Sequence, residues 1–255
     1  MANQPWYSEE IGFFGPYYLK TYTDARILSG EQTQQEVDFL EDVLGLQKGA
    51  KILDLACGHG RHAIELARRG YKVVGQDLNS FFLEKAKESA REAGMQVQWV
   101  QGDMRQIPFE GEFDAVVNMF TAFGYLETDE EDEKVFHQVA KALKPGGKFV
   151  LDVMSREWIM RNYQPKDWQE FSDGAVELYD RSFDFATSRG HERRLYIRPD
   201  GSREEHNIIL RLYTLQELIA MCQRAGLRFK EAYGTFTKEP YGPDTKRCIL
   251  IAEKS

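Results

Sequence analysis

The residues best suited to chemistry lie in one stretch, Lys51-Ile52-Leu53-Asp54-Leu55-Ala56-Cys57-Gly58-His59-Gly60. A short apolar run carries a carboxylate, Asp54, and four residues later two glycines bracket a histidine. Gly58 and Gly60 have no Cβ, so the backbone can turn sharply and a ligand can approach it closely. The helical spacing of Arg61 to Ala67 would then aim unpaired N–H groups and a positive dipole end at that ligand. Two ligand classes use such a loop. Gly58-His59-Gly60-Arg61-His62-Ala63 satisfies the loose dinucleotide pattern, and Asp77 follows about 20 residues on, as a nicotinamide cofactor requires. Asp54 argues the other way, because a carboxylate at that strand end repels a pyrophosphate and can hold an ammonium group. The stretch therefore suits a cationic nucleoside better than a dinucleotide.

Further segments follow in register: Gly75-Gln76-Asp77-Leu78, Gln101-Gly102-Asp103-Met104, Phe113-Asp114-Ala115-Val116 and Leu143-Lys144-Pro145-Gly146-Gly147. With the first stretch, this series resembles the motifs of class I S-adenosylmethionine-dependent methyltransferases over residues 45 to 154. The resemblance implies a Rossmann-like seven-stranded α/β sheet with helices on both faces. It also implies S-adenosylmethionine as cofactor and S-adenosylhomocysteine as product. Asp54, Ala56, Gly58, His59 and Gly60 would line the methionine part, Asp77 and Leu78 the ribose, and Asp103 and Met104 the adenine. Asn118 at the end of the fourth strand and Tyr22 in the N-terminal segment complete the expected cofactor contacts. Asp103 has a second reading, as the cap of a turn before Pro108.

The elements that must position these groups divide the chain into an N-terminal lid (1–30), a cofactor-binding core (31–154), an inserted antiparallel β lid (155–213) and a closing helix and hairpin (214–255). Seven aromatics from Trp6 to Tyr22 crowd the first segment, where Gly12, Gly15 and Pro16 interrupt a helical run. In related enzymes such a segment covers the cofactor, and its rings would stabilise a sulfonium by about 0.5 to 2 kcal/mol; otherwise they cover the flank of the core. Helices are expected at 31–44, 61–69, 80–93 and 129–143, and strands at 71–76, 96–101, 113–118 and 148–153. The loop from Asn118 to Tyr125 leaves the carboxyl end of the fourth strand, where open α/β sheets place reactive centres. Beyond Ser155 the βα rhythm stops. Pro199-Asp200-Gly201-Ser202 predicts a hairpin turn. Thr214-Leu215-Gln216-Glu217 is a capping box, and strands at 227–234 and 247–253 follow.

Composition limits the partners. The chain has 255 residues and a net charge of −8, and the span 156–211 holds 10 basic and 11 acidic residues without a basic stripe. Nucleic acid is disfavoured as a substrate, and no Pro-Pro-Tyr motif follows Asn118, which in this superfamily marks amino-methylation of nucleic acid or glutamine. A small-molecule methyl acceptor is expected. Three dispersed cysteines, no apolar leader and no long apolar run predict a cytoplasmic protein with no membrane span. No metal site is expected, since His59 and His62 lack partner ligands nearby. The catalytic residue is not legible, because methyl transfer needs a base only when its nucleophile arrives protonated; Tyr18, Tyr125, His191 and His206 are the candidates. Besides a methyltransferase, a non-catalytic cofactor-binding regulator and a nicotinamide-dependent oxidoreductase stay open at this level, and the oligomeric state is not fixed.

Overall fold

A computed structural model describes Tyr7, residues 12–25 and residues 27–255. Trp6, one of the seven N-terminal aromatics, lies outside the described residues. The chain runs α1 (Pro16–Asp24), α2 (Gly30–Leu44), β1 (Lys51–Leu55), α3 (Arg61–Arg68), β2 (Lys72–Asp77), α4 (Ser80–Glu92), β3 (Gln98–Gln101), β4 (Phe113–Asn118), α5 (Asp129–Ala142), β5 (Leu143–Met154) and α6 (Arg156–Arg161). Then come β6 (Lys166–Glu170), β7 (Val176–Asp184), β8 (Arg189–Ile197), β9 (Arg203–Arg211), α7 (Leu215–Arg224), β10 (Leu227–Tyr233) and β11 (Arg247–Lys254).

Seven strands form one sheet in the order β10-β11-β5-β4-β1-β2-β3, in which β1 to β5 pair in parallel and β11 runs antiparallel to both neighbours. Strand β1 explains the layering. Ile52 packs with Leu40 of α2 and Leu66 of α3 on one face; Leu53 and Leu55 pack with Phe136 of α5 and Leu218 of α7 on the other. All of these side chains are fully buried, each contributing about 1.5 to 3 kcal/mol. From β1 the chain winds outward through β2 and β3, then returns to place β4 on the opposite side of β1. That reversal opens a crevice at the carboxyl ends of β1 and β4, where a ligand is accommodated without cutting a strand.

Two local outcomes differ from expectation. Pro16 does not interrupt a helix but starts one: it sits in the first turn of α1, where its missing N–H is needed by no partner. Strand β5 begins at Leu143 instead of 148, because Leu143 already pairs with Phe113 and the Gly146-Gly147 segment absorbs the register shift before Ala115 pairs with Lys148. The insertion is the small antiparallel sheet expected of it. The expected turn joins β8 to β9, with Ile197 opposite Arg203, and two more strands extend it to an antiparallel sheet β6-β7-β8-β9. The capping box of α7 is present in full, with the Thr214 side chain accepting from Glu217 N and the Glu217 carboxylate accepting from Thr214 N.

Helix α1 joins the two sheets. Phe13 and Tyr17 are buried with Phe171, Tyr196 and Ile208 of the insertion. Tyr17 donates to Glu177, and Lys20 donates to Asp173 and to the Tyr196 hydroxyl, each at 2.7 Å. On the core side Asn79 donates to the Phe14 carbonyl at 2.5 Å, and Tyr18 meets the Phe82 ring edge-on at 5.6 Å. Among the described residues, no helix is long and apolar enough to cross a membrane.

Candidate functional site

Between α1, the crevice and the small sheet lies a cavity of about 1310 Å3, larger than the roughly 300 to 1,000 Å3 of most single-ligand sites. Asp54, Ala56, Gly58, His59, Asp77, Leu78, Asp103 and Met104 border it, with Tyr22 from α1. Gly60 and Asn118 do not.

Asp54 is 1% exposed, and its Oδ2 has no hydrogen-bond partner. Burial pushes its carboxyl up to about 7, against the pull of Arg61 and a hydrogen bond from the Ala63 N–H. A buried carboxylate oxygen left unpaired costs free energy that a bound cation recovers. Asp77 closes the loop: its Oδ2 accepts from Gly58 N at 2.7 Å and its Oδ1 from Asn79 N at 2.8 Å.

The two loop glycines have different work. Both have positive φ, +55° at Gly58 and +81° at Gly60. A Cβ on Gly58 would meet nothing within 4 Å, so this is the point of close approach to the cavity. A Cβ on Gly60 would stand 2.6 Å from the Trp99 ring and 2.8 Å from the Ala86 Cβ. The absence of a Cβ at Gly60 therefore serves the packing of α3 against β3 and α4. Asn118 is likewise structural in its surroundings, fully buried and donating to the Leu55 carbonyl at 3.1 Å, although its Oδ1 is unpaired.

Asp103 caps a turn, in keeping with its second reading: Oδ1 accepts from Arg105 N at 2.8 Å, and both oxygens take up the Arg105 guanidinium. Leu78, 41% exposed beside the cavity, and Met104 offer the apolar faces a flat base requires.

Arg61 does not stand out in the sequence as a site residue. One guanidinium nitrogen donates to Glu36 and, at 3.1 Å, to Thr33; the other, Nη2, is buried without a partner. Burial alone would raise the Glu36 carboxyl, but His62 and Arg61 outweigh it and hold it at about 2. Burial lowers His62, so the neutral ring donates Nε2–H to Glu36 at 2.6 Å. The one signal that could have found Arg61 is a cation placed one residue beyond a glycine loop.

The loop after β4 borders the other half of the cavity. Phe120 and Thr121 both have positive φ, 63° and 58°. They persist because Asp152 accepts from both backbone N–H groups, through Oδ2 at 2.8 Å and its carbonyl at 2.9 Å, and is itself held by Arg247. Two successive left-handed residues cost about 1 to 3 kcal/mol each, and such strain gathers at functional sites. Facing this loop, the small sheet presents Glu192, which accepts from Arg181 and, at 2.6 Å, from Arg194.

The candidate bases fare unequally. Burial pushes the phenols of Tyr18 and Tyr125 far up, so neither supplies a phenolate near neutral pH. His191 is exposed at the cavity rim and lies one residue out of phase with Glu192 and Arg194 along β8. His206 does not border the cavity; it is 3% exposed, 4.2 Å from the Tyr17 ring, in the cluster that fastens α1. Burial lowers His59, at the cavity, to about 4. Among the described residues there is no cluster of His, Cys, Asp and Glu able to hold a metal.

The sheet order is Rossmann-like, and the acidic strand end and the Gly58 loop meet at the crevice it opens. A methyltransferase-domain family model matches residues 52–147. A putative methyltransferase of Bacillus subtilis, YqeM, is 30% identical over 224 residues, covering 82% of this chain and 86% of that protein. The chain belongs to the class I S-adenosylmethionine-dependent methyltransferases. A glycine/sarcosine N-methyltransferase of Halorhodospira halochloris is 26% identical, covering 88% and 82% of the two chains. In fold, the chain is similar to an S-adenosylmethionine-dependent methyltransferase of Clostridium acetobutylicum (TM-score 0.81, 17% identity, 94% and 98% covered). It is also similar to the amino pentose methyltransferase CalS10 of Micromonospora echinaspora (TM-score 0.71, 23% identity, 94% and 97% covered), a structure with the cofactor bound.

Proposed function

We propose that the chain moves a methyl group to an N, O or S atom of a small molecule by in-line displacement. The observation that carries this reading is the buried, unpaired Oδ2 of Asp54 beside the open space at Gly58. S-adenosylmethionine supplies a methyl group already activated on a sulfonium. The protein's part is placement, which can lower a barrier by several kcal/mol. Asp54 takes the ammonium group of the methionine arm and the free Nη2 of Arg61 its carboxylate. Asp77 accepts from the ribose, while Leu78 and Met104 cover the base. Phe120 and Thr121, fixed by Asp152, set the wall against which the acceptor lies. With Tyr18 and Tyr125 held neutral, neither phenol supplies the base that an ammonium group requires, so an amine acceptor reacts from its neutral form. Amines are the first class to try, as the names of the glycine/sarcosine and amino pentose enzymes suggest. The test is formation of S-adenosylhomocysteine from methyl-labelled cofactor with panels of amines, alcohols and thiols. Tight cofactor binding with no turnover on any panel would overturn the catalytic reading and leave a regulatory protein.

A further inference from the structure

The free edge of the small sheet carries a self-complementary pattern. Strand β6 pairs on one side only, with β7, and Lys166, Trp168 and Glu170 alternate with Asp167 and Gln169 along it. The bond from Arg181 N to the Pro165 carbonyl, 2.8 Å, sets the phase: the backbone groups of residues 165, 167 and 169 face β7 and those of 166, 168 and 170 face outward. Trp168 is 64% exposed, beside Leu178 at 41%, and Leu195 continues the row on β8. Neither Lys166 nor Glu170 has an ion-pair partner among the described residues.

We propose that two copies of this chain associate edge to edge through β6, antiparallel about Trp168. Such a two-fold pairing puts each residue opposite the one equally far from the axis. Trp168 meets Trp168, and Lys166 meets Glu170 at both ends, so an unpaired cation and an unpaired anion find each other twice. The residues brought opposite one another are those whose N–H and C=O groups point outward, so the backbone ladder and the side-chain match select the same register. The result is one eight-stranded sheet with an aromatic pair at its centre. A long exposed edge with a large apolar side chain otherwise invites unspecific pairing; here the charges admit one partner. The Trp168 backbone N–H, which now donates to Asp167 Oδ1 at 2.9 Å, exchanges that bond for a partner carbonyl. Asp167 and Gln169 border the cavity, so the join also stiffens its rim.

The experiment is molar mass across protein concentrations, by light scattering or sedimentation, on the full chain and four variants. Lys166→Glu and Glu170→Lys each set like charges opposite one another twice, and each should weaken the dimer at least tenfold. Lys166→Glu/Glu170→Lys restores opposite charges and should restore the dimer. Trp168→Ala should dissociate it. All these positions are exposed, and unchanged thermal unfolding with S-adenosylhomocysteine shows that the fold is kept. A wild-type chain that stays monomeric at every concentration overturns the proposal. So does a dimer indifferent to all four variants, or a charge swap that fails to rescue either single change.

Discussion

Replacing Asp54 with Asn should separate stability from cofactor binding, in opposite directions. The group is buried, and its carboxyl lies at about 7 against an ordinary 3.8. A carboxyl raised on folding holds its proton longer in the folded chain than in the unfolded one. Stability therefore falls as pH rises from 3.8 towards 7, and above 7 the accumulated loss is about 4 kcal/mol. Asparagine keeps the shape and one acceptor without the charge, so the ligand-free variant should unfold later than wild type at pH 8, by several degrees for a chain of this size. Binding of S-adenosylhomocysteine should fall by about 2 to 5 kcal/mol, roughly thirty- to several-thousand-fold, since a buried charge pair loses one member. In the wild type, binding needs the ionised carboxylate, so affinity should weaken up to tenfold per pH unit below about 7 and level off above it. The assays are thermal unfolding with and without ligand, and calorimetric titration from pH 6 to 8. A variant that is less stable when empty and binds S-adenosylhomocysteine like wild type would refute the assignment of Asp54.

The loop glycines should part in the same assays. Gly60→Ala should cost about 2 to 4 kcal/mol of stability through the Trp99 and Ala86 contacts and its positive φ, whereas Gly58→Ala should cost about 1 to 2 kcal/mol and act chiefly on cofactor affinity. Arg61→Ala breaks a buried pair with Glu36 and should lower stability by about 3 to 5 kcal/mol, less if His62 keeps the carboxylate satisfied; its KM for the cofactor should rise more than its KM for the acceptor. His206 is held below its usual 6.5, chiefly by burial, with Arg194 and Arg198 opposing Glu204. The unfolded chain thus takes up the proton first as pH falls through about 6.5, and stability declines from there. His206→Phe should therefore raise the unfolding midpoint more at pH 5.5 than at pH 8; an equal rise at both would show that the ring does not titrate against folding.

Five motifs in order make the large sheet legible, because apolar strands, glycine turns and acidic strand ends recur there at fixed intervals. Asp54 is legible for the same reason: a carboxylate where a buried strand should be apolar is a chemical anomaly in the amino-acid order itself. The packing role of Gly60 is not legible, because the Trp99 ring that leaves no room for a Cβ there lies on another strand. Strands β6 and β7 escape sequence reasoning since the small sheet covers a cavity and not a core. Its inward residues are Glu177, Tyr179 and Arg181 and its outward neighbour is Leu178, so the alternation runs with inverted phase. His206 looks available because one polar residue in a strand looks like any other; its burial comes from Phe13 and Tyr17, nearly two hundred residues away in sequence.

Helix α1 and the turn before it are fastened by Phe13 and Tyr17 to the small sheet and by Phe14, Tyr18 and Tyr22 to the walls of the cavity. Lifting it exposes two buried rings, about 3 to 6 kcal/mol at the usual value per side chain. The uncovered form is thus roughly one molecule in a hundred to one in several tens of thousands. Any molecule that must pass under the helix waits for that rare form, whichever way it travels. Substitutions at Phe13 or Tyr17 that weaken this cover should therefore speed the release of bound S-adenosylhomocysteine, as a stopped-flow dissociation rate would show.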